Sequence, residues 1–93
     1  MIHYTIQFEL QPDKLNEFKL SWNSFYENTK EAEGLKTCNI KEIGNSHHQI
    51  EMIWIEQYYL NLFMKGEWCN FLHGAINVLG NRSVITQRDV ESA

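Results

Sequence analysis

The sequence predicts an α+β domain, and three observations carry that prediction. Ile2, Tyr4, Ile6, Phe8 and Leu10 alternate with His3, Thr5, Gln7 and Glu9, the period of a strand that packs one face on a core. Leu15, Phe18, Trp22, Phe25, Tyr26, Thr29 and Ala32 recur at spacings of three and four, the period of a helix with one buried stripe. The remaining 60 or so residues repeat that strand and helix alternation, and a chain of 93 residues has material for one core and one domain, residues 1–93.

Each element follows from its local chemistry. The first strand spans Ile2 to Leu10 and is stopped by Gln11-Pro12-Asp13, where proline removes an amide donor and aspartate can cap a helix. The first helix then keeps Lys14, Asn16, Glu17, Asn23, Glu27, Lys30 and Glu31 on its wet side, and Gly34 fits the left-handed position after a helix end. Leu35 to Ile43 and Gln49 to Gln57 read as two strands joined by the polar connection Gly44-Asn45-Ser46-His47-His48. A second helix is expected from about Tyr58 to Leu79, ended by Gly80-Asn81, and a last strand from Ser83 to Val90. Strand, helix, strand, strand, helix, strand is the order of a ferredoxin-like fold: a four-stranded antiparallel sheet with two helices on one face.

Two features of this plan bear on function. The third strand carries Ile50, Met52 and Trp54 on one face and Ile53 and Ile55 on the other. If both faces are covered, a second copy of the chain is the expected cover for the open side, which predicts a homodimer; singly exposed aliphatics are the simpler alternative. At about 100° per residue, Leu60, Met64, Trp68, Leu72, Ala75, Ile76 and Leu79 converge on one side of the second helix. Tyr59, Phe63, Gly66, Asn70, His73 and Asn77 fall on the other, as the lining of a cleft or as a solvent face with aromatics in it. Gly66 lowers helix propensity by about 1 kcal/mol relative to alanine and marks a bend or a close approach.

Composition removes several functions. The net charge is −4, and Lys14, Lys19, Lys30, Lys36, Lys41, Lys65, Arg82 and Arg88 are scattered, so no positive face awaits nucleic acid. No apolar run is long enough to span a bilayer, and Met1 leads straight into the first strand, so a cytoplasmic protein without membrane contact is expected. Cys38 and Cys69 read as small buried hydrophobes with free thiols. The glycines are dispersed and form no phosphate loop, His47 and His48 are adjacent turn residues, and no metal-ligating set is expected.

The run Trp54-Ile55-Glu56-Gln57-Tyr58-Tyr59-Leu60-Asn61-Leu62-Phe63, continuing to Ala75 and Leu79, resembles the antibiotic biosynthesis monooxygenase family, and Glu33-Gly34-Leu35 resembles its turn between the first helix and second strand. The resemblance implies a dimeric α+β barrel in which two sheets face each other. Two departures touch chemistry: Phe63 stands where many members have histidine, and Cys69 where they have phenylalanine. A narrower resemblance, to haem-degrading monooxygenases of the same superfamily, aligns Gln7, Phe63 and His73 with an asparagine, a tryptophan and a histidine, and of these only the histidine is kept. A neutral imidazole can ligate haem iron, which makes haem the one cofactor the resemblance suggests.

The activity implied is a cofactor-independent monooxygenase acting on a small electron-rich aromatic or quinol. Such a reaction needs a base to remove a phenolic proton and a dry cavity with a few fixed donors. His73 is the candidate base, with Gln7 and Asn70 placed to orient a substrate oxygen as the other catalytic candidates. His3 is a second imidazole at the substrate, and Trp54, Tyr59, Phe63 and Trp68 are the candidate walls. The alternatives are a non-catalytic small-molecule-binding or structural homodimer of the same fold, and a haem-binding or haem-degrading monooxygenase.

Overall fold

A computed structural model describes residues 1–89. Its elements are β1 (Ile2–Leu10), a 3-10 turn (Pro12–Lys14), α1 (Leu15–Thr29), β2 (Leu35–Gly44), β3 (His47–Trp54), α2 (Gln57–Met64), α3 (Glu67–Leu79) and β4 (Gly80–Asp89). The strands form one antiparallel sheet in the order β2-β3-β1-β4. This is the ferredoxin-like plan, with the second helix in two pieces. Val90, expected in the last strand, lies outside the described residues.

The alternation along β1 sends Ile2, Tyr4, Ile6, Phe8 and Leu10 to the helix-covered face, where they meet Ile50, Met52 and Trp54 of β3. From α1, Phe18, Phe25 and Thr29 are buried on that core and Trp22 packs against it, while Leu15 and Tyr26 lie at the wet edges of the stripe. Burying each of these aromatics contributes about 1.5–3 kcal/mol, so the core rests on a few large rings. Asp13 makes no cap: it sits in the 3-10 turn, and Lys14 occupies the N-cap of α1 without a side-chain bond.

The hairpin is tighter than its composition suggested. β2 and β3 turn over Asn45 and Ser46, with Ser46 at φ 62°, and His47 and His48 belong to β3, opposite Gly44 and Glu42. His48 stacks on Phe8 at 5.9 Å, so the imidazole is drawn into the sheet by an apolar ring. At its other end β3 stops at Trp54, and Gln57 opens α2.

The second helix breaks at Lys65-Gly66, where Gly66 becomes the N-cap of α3. The break resets the helical phase. Leu60, Leu72, Ile76 and Leu79 are buried as the periodicity predicts, but Met64 is exposed and Cys69 is buried in the stripe. Tyr59, Phe63 and His73, assigned to the far side, turn inward and are half-buried, whereas Asn70 and Asn77 face solvent. α3 then passes directly into β4 through Gly80, where a Cβ would stand 2.5 Å from the Glu9 carbonyl oxygen. Only glycine allows that close approach.

The open face of the sheet is polar. Cross-strand partners share a face, which places His3, Thr5 and Gln7 of β1 beside Ile53, Glu51 and Gln49 of β3 and Arg88, Thr86 and Val84 of β4. Ile53 is half-buried there, and Ile55 lies beyond the strand, 43% exposed. The expected second apolar face of β3 thus reduces to Ile53, because the strand ends before Ile55 can join it.

Candidate functional site

Where α1 ends, Gly34 adopts φ 83°, the left-handed turn that returns the chain toward the sheet. The turn is anchored by the Ala32 carbonyl, which accepts from the Leu35 amide at 3.1 Å, and by the Gly34 carbonyl, which accepts from the Ile55 amide at 2.8 Å. The ring of Tyr59 lies directly against Gly34, in the space a side chain would need. This contact ties α2 to the end of α1.

Between these elements lies a cavity of about 330 Å³, lined by Asn28, Thr29, Ala32 and Glu33 from the end of α1, Trp54 from β3, and Tyr59, Leu62, Phe63, Gly66, Glu67 and Trp68 from the α2–α3 corner. Four of the expected substrate-contacting residues, Trp54, Tyr59, Phe63 and Trp68, therefore share one volume. The helix break makes this arrangement: it brings residues on both sides of Gly66 to one cavity. Phe63 is the hub of the wall, its ring 5.3 Å from Trp54, 6.0 Å from Phe25 and 6.4 Å from Tyr4.

Two polar atoms of the lining residues lack partners. Trp54 Nε1 and Thr29 Oγ1 are screened from solvent and have no hydrogen bond among the described residues, and their side chains are 1% and 2% exposed. Native proteins rarely leave such groups unsatisfied, because each costs about 1–3 kcal/mol when buried alone.

Behind Phe63 stands a pair of side chains, only one of which the sequence reading singled out. The Tyr4 hydroxyl lies 3.1 Å from His73 Nε2. Burial pushes the phenol up to about 12, with a smaller contribution from the neighbouring Cys69, and burial holds the imidazole below its usual value. Both groups are then neutral near pH 7 and share one hydrogen bond, in which the Tyr4 O–H donates to Nε2 when the ring proton sits on Nδ1. Cys38 and Cys69 are free, and burial raises both thiols, Cys38 to about 12, which leaves them poor nucleophiles.

The remaining candidates do not join this group. His3 and Gln7 stand on the open face of the sheet, and Gln7 Nε2 donates to Gln49 Oε1 at 2.9 Å. The sheet itself separates them from His73, so Gln7 does not join Phe63 and His73, by strand parity: an odd-numbered position on β1 faces away. The β1 residue that meets His73 is Tyr4. Asn70 is exposed and lines a separate groove with Glu17, Ser21 and Phe71 between α1 and α3. Phe63 lies between Tyr4 and the cavity wall, and His73 is not in the cavity lining. Tyr4 was legible as a buried strand residue; its partner depends on how α3 docks. Among the described residues no group of three or more His, Cys, Asp and Glu side chains is placed to hold a metal, and no helix is long and apolar enough to cross a membrane.

The sequence matches no family model and no curated protein. The structure is similar to many solved ones. A candidate antibiotic biosynthesis monooxygenase from Deinococcus radiodurans superposes with a TM-score of 0.90 at 12% identity, over 100% of this chain and 95% of that one. A conserved protein from Methanosarcina mazei Go1 gives 0.89 at 14%, over 97% and 92%. A candidate antibiotic biosynthesis monooxygenase from Caulobacter crescentus CB15 gives 0.86 at 14%, over 98% and 90%. The chain has the fold of these proteins over nearly its whole length.

Proposed function

We propose that this protein is a monooxygenase of the antibiotic biosynthesis type, working without metal, flavin or haem on a small electron-rich aromatic or quinol. The observation that carries this reading is the part-buried Tyr4–His73 pair set behind the wall of an aromatic cavity. Dioxygen in its ground state reacts slowly with closed-shell molecules, and a phenol becomes reactive when it loses its proton. An imidazole kept neutral by burial is a base ready to take one. Neither Tyr4 nor His73 lines the cavity, so a phenolic proton reaches the pair only when Phe63 swings aside, Tyr4 then taking it as its own passes to His73 in the Nδ1–H tautomer. A quinol supplies its own electrons: one oxygen atom enters the ring, the other leaves as water, and quinol plus O₂ becomes hydroxyquinone plus H₂O. The likeness in fold to proteins named as monooxygenases supports the same reading.

Haem fits less well, since His73 Nε2 is engaged by Tyr4 and the residue does not line the cavity. That same observation favours one second reading, a protein that binds an aromatic ligand and performs no chemistry on it. Oxygen uptake across a panel of hydroquinones separates the two. Uptake that falls at least tenfold in both Tyr4→Phe and His73→Ala, the usual scale for a lost proton-transfer group, supports the oxygenase. Binding of quinols without uptake supports the second reading.

We also propose a homodimer through the open sheet face. A chain of this size gains stability by burying surface in a partner, and Ile53, near the end of the inner strand β3, is a half-buried aliphatic side chain on that face. Sedimentation equilibrium of the wild type and Ile53→Lys tests it: a dimer that dissociates in the variant supports the interface, and a wild-type monomer at micromolar concentration rules it out.

A further inference from the structure

Resting on the cavity invoked above but not on its oxygen chemistry, we propose that the site selects an organic cation: an aromatic ligand that carries a protonated or quaternary amine. Trp54, Tyr59, Phe63 and Trp68 line the cavity, and the faces of such rings carry the negative end of the ring quadrupole. Glu33 and Glu67 line it too, and neither carboxylate has an ion pair among the described residues. No lysine, arginine or histidine belongs to the lining. Rings and carboxylates act with the same sign on a ligand, attracting a cation and repelling a carboxylate, and two full charges outweigh the partial positive charge of the α3 N-terminus at Gly66–Trp68.

The depths of these residues give the ligand an orientation. Trp54 is buried at the floor, whereas Glu33 and Glu67 are exposed and stand at the rim. A flat ring fits inside against Trp54 and Phe63, and its ammonium group lies toward the mouth, on the side of the two carboxylates. A carboxylate in that place would meet two like charges and no counter-ion, an arrangement that buried rings do nothing to relieve.

The test uses three ligands that share a phenol and a two-carbon tail or its oxidised form: tyramine, tyrosol and 4-hydroxyphenylacetate. Their binding to the full chain is followed at pH 7 and low salt by quenching of tryptophan fluorescence, with no dependence on oxygen. Tyramine should bind about tenfold more tightly than tyrosol, and 4-hydroxyphenylacetate more weakly than both. In the double variant Glu33→Gln/Glu67→Gln, whose side chains are exposed so that folding is retained, the preference for tyramine over tyrosol should shrink from about tenfold to the roughly two- to fourfold that the rings alone supply. Equal affinities in the wild type, or a preference for the carboxylate, would overturn the cation assignment and leave the aromatic cavity standing. Binding of none of the three would overturn the cavity reading, and the assignment with it.

Discussion

Gly34→Ala is the change that most sharply tests how the cavity is held. Two separate costs meet at this position. At φ 83° an alanine occupies the left-handed region, which disfavours a Cβ by about 1–2 kcal/mol. The new Cβ would also fall onto the Tyr59 side chain, 2.6 Å from its Cβ and closer still to ring atoms, so Tyr59 must leave the wall. Losing the packing of a half-buried ring adds about as much again, for a total of roughly 2–4 kcal/mol. For a domain of this length that is a fall in Tm of roughly 10–25 °C. Gly34→Asn separates the two costs, because asparagine tolerates the left-handed backbone yet brings the same Cβ. Urea denaturation of both variants, with tyrosol titrated into each, is the assay. Both should be destabilised and both should bind the phenol poorly. An alanine variant within about 0.5 kcal/mol of wild type, or an asparagine variant restored to it, would refute the contact between Gly34 and Tyr59.

Other perturbations follow from the same geometry. Gly80→Ala should cost about 2–3 kcal/mol by urea denaturation, since its Cβ would press on the fixed carbonyl of Glu9 and not on a movable side chain. Tyr4→Phe removes the hydrogen bond to His73 Nε2 and should lower stability by about 1 kcal/mol in the same assay, with circular dichroism unchanged. The His73 imidazole is held below its usual 6.5, so the unfolded chain binds this proton more readily than the folded one. Its contribution is therefore intact above about pH 6.5 and is lost as the pH falls toward the lowered value. Urea midpoints measured from pH 7.5 down to 5 should show that decline, and His73→Gln should flatten it. Hemin added to the protein should leave the free-hemin Soret band unshifted; a shifted band abolished by His73→Ala would instead place haem on that imidazole.

Much of the architecture was legible because it depends on short-range periodicity. The strict alternation from Ile2 to Leu10 determined both the strand and its buried face, and the placing of Gly34 after a helix end followed from its freedom at positive φ. The candidate site was legible in part. Trp54, Tyr59, Phe63 and Trp68 do gather, yet the helical-wheel arithmetic put Phe63 and Trp68 on opposite sides because it assumed an unbroken helix through Gly66. Gln7 was misplaced for a different reason: alignment by resemblance ignored the parity that β1 itself displays. Tyr4 could be called buried from the sequence, but its bond to His73, 69 residues away, is a product of how α3 docks on the sheet.

The claim on which the rest depends is that an aromatic ligand seats against Trp54. Amide and indole resonances of the ¹⁵N-labelled protein, recorded as tyramine is added, test it directly. The Trp54 indole N–H should shift in the ring current of the bound phenol, together with the backbone amides of Thr29, Tyr59, Phe63 and Trp68. Shifts confined to His3, Gln7 and Gln49 on the open sheet face, with the Trp54 indole unmoved, would contradict it.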